Sequence, residues 1–413
     1  MTDEVAEKVL RDNYEQNVLL GNARAQQHMM LPVHTRLIHQ LEERGILDRA
    51  LEFMPSDAEL AKRNDTGHGL TSPELCVLVA FTKIALKDDL LPSALPDDPW
   101  FQSTLLDYFP EQIRMHHADD LAAHPLRREI VTNAVVNSMV NRGGITFAYR
   151  AVEETGATVE QVSRAFVVCR EVFNLAGFVR QVEALDNHVS TSTQTALYLE
   201  FRRLLDRAVR WFLTNRPTSL DVAAEVDRFS STVAKLGPQI PELLQGGEHK
   251  RLERRAREME KAGVPAEFAL NVAALLDQFS LLDIVELATE TLVPAAEVAA
   301  IYYVTSERFG IDEMLTRVTR LPRDDRWDAL ARGALRDDLY AVLETLTHAV
   351  IEASSDGQTP AKRFDAWASA NAESLRRARA ALGGIERLEQ PGIAPLSVAL
   401  RTLRAVSQSG SSG

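Results

Sequence analysis

Arg127-Arg128-Glu129-Ile130-Val131-Thr132-Asn133-Ala134-Val135-Val136-Asn137-Ser138-Met139-Val140-Asn141-Arg142-Gly143-Gly144 reads as one helix and its stop. Ile130 with Ala134, and Val135 with Met139, are four residues apart, with Val131 and Val136 beside them. That spacing lays a single apolar stripe along a helix. The two glycines then end it, because glycine reaches backbone conformations closed to other residues. The same period recurs outward along the chain, where Ala, Leu, Arg and Glu are abundant. Leu75, Leu78, Val79, Thr82 and Leu86 form a second stripe, expected to be core, with Cys76 and Ile84 on its flanks. Period-two alternation is scarce; Ile145 to Tyr149 comes nearest and is too short to carry a sheet. The expected fold class is all-α: a multi-helix protein of antiparallel and irregularly crossing helices with no substantial sheet.

The opening stretch carries a second pattern. Glu129, Asn133, Asn137 and Asn141 are each four apart and stack along one face. Asparagine is an indifferent helix former, so three in register ask for a reason. Three remain open: a solvated face, a buried hydrogen-bond network fixing helix register, or a face turned toward a partner domain. Arg142 ends this face beside two glycines and is expected to be partly buried. A buried guanidinium needs a carboxylate, and Glu183-Ala184-Leu185-Asp186-Asn187 offers Asp186 or Glu183.

Helix starts are marked by Ser72 with Pro73, by Ser56 with Glu59 as a capping box, and by Pro265 and Pro294. Four segments follow. Residues 1 to 65 read as a helical lead-in broken at Pro32 and Pro55. Residues 66 to 216 form a motif-rich helical core. Residues 217 to 407 form a second helical unit, opening after Arg216-Pro217-Thr218. Residues 408 to 413 are Ser/Gly-rich and expected to be disordered. No fixed repeat argues for a solenoid.

Bulk properties exclude several classes. At 413 residues the chain exceeds one ordinary core, and 45% hydrophobic with 25% charged is a globular composition. No apolar run approaches the length of a membrane span. Met1-Thr2-Asp3-Glu4-Val5 lacks the basic flank of a secretory leader. Cys76 and Cys169 lie in apolar runs and are expected as buried free thiols in a reducing cytoplasm. A net charge of −13 opposes nucleic-acid binding. The densest basic run, His249 to Arg257, is interleaved with glutamates and reads as a solvated, ion-paired helix.

Motifs that carry chemistry are weak. Gly67-His68-Gly69 lacks the preceding strand that a dinucleotide turn needs. His116, His117 and His124 lack a metal-ligand spacing. Asp324-Asp325-Arg326-Trp327-Asp328 matches a DDxxD pattern that holds Mg²⁺ against a diphosphate. Arg320, Arg323 and Arg332 are near enough to bind phosphate. A first helical turn also collects acids for its dipole alone, and no second aspartate-rich motif faces this one.

In order and spacing, one set of motifs resembles the C-terminal region of the large bacterial NAD-dependent glutamate dehydrogenases. It runs through Gly69-Leu70-Thr71-Ser72-Pro73-Glu74-Leu75, Leu95-Pro96-Asp97-Asp98-Pro99, Tyr108-Phe109-Pro110 and Leu126-Arg127-Arg128-Glu129-Ile130. Met139 to Phe147 and Glu183 to Asn187 continue it, and Leu321 to Trp327 also looks like the family. The resemblance implies a parent polypeptide that oxidises glutamate with NAD, cytoplasmic and homo-oligomeric. It places the glycine-rich NAD motif and the substrate lysine upstream of this chain. This segment would then bind no NAD, carry no catalytic or metal-binding residue, and partner the upstream catalytic domain of the same polypeptide, with no nucleic acid or membrane involved. Its role would be structural, in assembly, or regulatory. Two readings from other classes remain: a stand-alone Mg-dependent diphosphate enzyme using Asp324, Asp325 and Asp328, and a helical protein-interaction module.

Overall fold

Apolar stripes at helical spacing leave no other way to bury this chain, and among the described residues every regular element is a helix and none is a strand. The computed structural model describes residues 1–218, 220–321, 326–353, 358–386 and 392–409. The chain divides into two units, Met1–Ser230 and Ser231–Gly413.

In the first unit, α1 (Thr2–Ala25) and α2 (Gln27–Glu43) precede α3 (Ser72–Leu90). Then come α4 (Arg127–Gly143), α5 (Phe147–Thr155), α6 (Val159–Val172), α7 (Leu175–Glu183) and α8 (Thr191–Asn215). Helix α4 sits in the middle of this unit, packing against α1, α3, α5, α6 and α8. Its stripe of Ile130, Val131, Val135, Val136, Met139 and Val140 is buried. Phe147 meets Phe166 edge-on at 5.8 Å, and Phe178 lies 4.6 Å from Phe201. Gly143 admits this packing, since a Cβ there would sit 2.7 Å from the Phe147 ring.

The α3 stripe is core, as its spacing predicts: Leu75, Leu78, Thr82 and Leu86 are buried, with Val79 half-buried at its edge. Several local expectations are corrected. The cap of α3 is Thr71 rather than Ser72, with the Glu74 carboxylate accepting the Thr71 N–H at 2.7 Å. Cys76 is exposed, because it lies about 100° around the helix from Leu75; Cys169 is buried. Pro32 lies inside α2 and does not break it. The carbonyl it leaves unpaired belongs to exposed His28, which water can serve. The break falls instead at Gln26, between α1 and α2. Residues from Phe147 to Tyr149 are helical, so the short alternation there marks the entry to α5 and no strand.

The second unit contains α9 (Gly246–Lys261), α10 (Ala266–Ala273), α11 (Leu281–Thr291) and α12 (Ala295–Phe309). Helices α13 (Arg326–Glu352), α14 (Pro360–Ala370) and α15 (Ile393–Ser409) follow. Helix α12 packs on α9, α11, α13 and α14, and α13 packs on α15. Phe309, Phe364 and Trp367 form an aromatic cluster where α12 meets α14. Among the described residues no single helix is long and apolar enough to cross a membrane.

Candidate functional site

The polar groups of the first unit converge on the end of α4. A helix C-terminus leaves carbonyls without intrahelical partners. Arg202 of α8 answers them: its Nε donates to the Arg142 carbonyl at 2.8 Å and its Nη2 to the Asn141 carbonyl at 3.3 Å. Lys83 of α3 donates its ammonium to the Asn141 side-chain oxygen at 2.9 Å. Asn141, Lys83 and Arg202 are all buried.

The Arg142 side chain turns toward α1 and pairs with Glu15. This corrects the expected partnership with Asp186 or Glu183. Helix α1 lies against the end of α4, and both of those acids are already engaged by α1 or α8. Arg11 forks onto Glu183 at 2.6 and 2.8 Å and also reaches Glu15 at 3.0 Å. Tyr14 donates its hydroxyl to Asp186 at 2.9 Å, and Gln194 donates to the same carboxylate at 2.6 Å. Arg11, Tyr14 and Glu15 share one face of α1 by their three- and four-residue spacing. The polar face of α4 is graded. Glu129 is exposed, Asn133 and Asn137 are half-buried, and Asn141 alone is buried. The hydrogen-bonded set joins Asn141 and Arg142 to residues of other helices rather than to Glu129, Asn133 or Asn137.

Burial shapes the electrostatics. It pulls the Lys83 ammonium down to about 8, with Lys87 adding repulsion. It brings Arg202 down to about 10 and pushes the Tyr198 phenol up to about 12. Asp206, which burial alone would raise, is held below its ordinary range by Arg150 and Arg210. Arg150 reaches Asp206 at 2.9 Å, and Arg36 of α2 reaches Glu153 of α5 at 3.0 Å. Asn22, Asn141, Arg142, Tyr198 and Arg202 help to line a cavity of about 10 Å³. That is room for about one water. A pocket for a small organic ligand is on the order of 300 Å³ or more. The junction crosslinks α1, α3, α4 and α8.

Gly69 of the Gly67-His68-Gly69 turn passes against Gln27 so closely that a Cβ would lie 2.4 Å from its carbonyl. The turn serves packing between α2 and the approach to α3. His117 interrupts its helix and meets Asp120 at 3.1 Å, and His124 accepts the Leu126 N–H at 3.1 Å. Among the described residues no His/Cys/Asp/Glu group is arranged to hold a metal. Asp324 and Asp325 lie outside the described residues, as does Arg323; Asp328 stands in the first turn of α13. The basic run lies on α9, where Arg257 and His249 both meet Glu253 and Arg251 pairs with Asp312. An open groove of about 360 Å³ carries Asp97, Asp98 and Asp221 beside Trp100. Arg127 and Arg128 pair with Asp97, and Arg164 with Asp98.

Sequence comparison agrees with this chain's motif order. The family described as "Glutamate dehydrogenase, C-terminal" matches residues 67–405. The chain belongs to that family. It is 40% identical to the NAD-specific glutamate dehydrogenase of Mycobacterium tuberculosis over 414 residues, covering 100% of this chain and 25% of that protein. The corresponding enzyme of Pseudomonas aeruginosa is 37% identical, over 100% of this chain and 26% of its own length. That of Halomonas elongata is 36% identical over 25% of its length. The chain thus spans about a quarter of the curated relatives it matches. Within this family member, Lys83, Arg202, Arg11, Tyr14 and Glu15 escaped the reading of sequence alone. For Lys83 a signal was present: a cation placed between Thr82 and Leu86 in an apolar run.

Proposed function

We propose that this chain is the C-terminal, non-catalytic helical part of a large NAD-dependent glutamate dehydrogenase. The parent polypeptide converts glutamate, NAD and water to 2-oxoglutarate, ammonium and NADH. The segment's own role is structural or regulatory, through docking on the catalytic domain or on another subunit. The relatives' names support the parent reaction, and their end-to-end alignment with this chain supports its place as one segment.

One observation carries the non-catalytic reading. The cations of the polar junction are turned inward, on Asn141, on the α4 carbonyls and on Glu15, around a space of about 10 Å³. Holding glutamate needs cations aimed at two carboxylates in an open site, and an activated amine beside the reacting carbon. Lys83 has the lowered basicity of such an amine, but it faces an amide in the interior. Glutamate-dependent NADH formation tests this. The purified chain is expected to give none, while the longer polypeptide turns over. Turnover by the chain alone contradicts the proposal.

A further inference from the structure

Two large apolar residues occupy left-handed backbone, Phe53 at φ 54° and Leu292 at φ 58°. They are also the most exposed large apolar side chains among the described residues, at 90% and 89%. Left-handed geometry disfavours bulky side chains, and a glycine or asparagine would sit there with less strain. Neither ring nor isobutyl group recovers that cost by packing within its own unit.

Around Phe53 the strain is held by a built turn. Asp48 accepts the N–H groups of Ala50 and Leu51, both at 3.0 Å. The Met54 N–H returns to the Arg49 carbonyl at 2.9 Å, closing a helix-end motif in which Phe53 takes the position usually given to glycine. Arg49 is tied to Glu42 at 3.0 Å, Asp57 at 2.6 Å and the Pro55 carbonyl at 3.3 Å. Leu47, Met54 and Pro55 are buried beneath. The turn therefore presents Leu51, 70% exposed, and Phe53 together, with little freedom left to lose on binding. From Glu42 to Asp57 the acids Glu42, Glu43, Asp48, Glu52 and Asp57 outnumber the bases Arg44 and Arg49.

We infer that the Asp48–Pro55 turn is an anchor that inserts Phe53 and Leu51 into an apolar, basic-rimmed pocket on the part of the parent polypeptide outside this chain. The inference rests on the proposed function above. About three quarters of each relative lies outside the aligned segment, so most of the parent's surface is unaccounted for here. The acidic surround of the turn sets the sign of the rim it meets. A strained aromatic held in solvent by a rigid turn has the character of an interface hot spot.

Hydrogen exchange across residues 48–55, in the isolated chain and in the longer polypeptide, tests the anchor. Protection is expected to be greater in the longer polypeptide and to fall to the isolated-chain level in Phe53→Asn and Leu51→Ser variants. Asparagine tolerates the left-handed position, so F53N should leave the melting temperature of the isolated chain unchanged or higher. A lowered melting temperature would mean that the ring packs within its own chain, and would overturn the anchor. A dimer of the isolated chain that dissociates on F53N would also overturn it, in favour of a second copy. Protection elsewhere on this chain but not at 48–55 would remove the anchor and leave the docking reading intact. No protection anywhere would remove both.

Discussion

Arg142 shows what one residue's neighbourhood reveals and hides. Its partial burial was legible from its place beside Gly143 and Gly144 at the end of an apolar stripe. Its partner was not, because Glu15 lies far away in sequence and nothing local says that α1 crosses the end of α4. The side chains of Arg142 and Glu15 are 11% and 19% exposed, so their attraction is screened less than a surface pair's. A double-mutant cycle between them should give a coupling of roughly 1 kcal/mol or more. The same cycle between Arg142 and Asp186 should be additive, since Asp186 is held by Tyr14 and Gln194. Coupling to Asp186 alone would contradict the observed pairing. His34 offers a test in pH. It is buried with its Nδ1 unpartnered, and burial, with Arg150 nearby, pushes it down to about 4. An unfolded imidazole takes its proton near pH 6.5. Between those values the unfolded chain binds more protons, so stability falls as pH drops from 6.5 toward 4.

At the scale of elements, spacing was the reliable guide. The stripes of α3 and α4 were read correctly apart from Val79 and Ala134, which are half-buried, because a buried helix face must repeat every three to four residues. Exceptions arose where a single residue's angle decided the outcome. Cys76 follows Leu75 directly and therefore faces away from it. Pro32 was tolerated because its orphaned carbonyl reaches solvent. Of the DDxxD run, Asp328 takes the first turn of α13, and Asp324 and Asp325 lie outside the described residues. Leu78 on α3 is fully buried. Leu78→Asp would place a charge there without a partner and should cost several kcal/mol, about 3 or more. Thermal unfolding measures this directly. A variant that melts within about a degree of wild type would show α3 to be peripheral, since about 1 kcal/mol already moves a large domain's midpoint by about 2–4 °C.

The whole chain consists of two units whose buried acid–base groups respond to pH with opposite sign. In the second unit Glu248 is buried. Burial, together with Asp277 and Glu307, raises it to about 7 against the stabilising Ser306 hydroxyl, 2.6 Å away. An unfolded glutamate loses its proton near 4.5. Between 4.5 and 7 the folded second unit binds more protons, so this contribution is lost as pH rises. Moving from pH 7 to pH 5 should therefore weaken hydrogen-exchange protection around His34 and strengthen it around Glu248. His34→Gln and Glu248→Gln variants should each flatten the profile of their own unit. Protection that shifts in the same direction in both units, or is unchanged by these variants, would contradict the assignment.

The family was legible from motif order because those motifs hold helix ends and packing turns, which leave local signatures. The polar junction was not, because it is assembled from α1, α3, α4 and α8 by tertiary contacts. The proposed role is that this assembly supports a dehydrogenase without performing its chemistry. Titrating NADH into the purified chain in a calorimeter tests it most directly. The account predicts heats no larger than dilution; saturable binding in the micromolar range would contradict it.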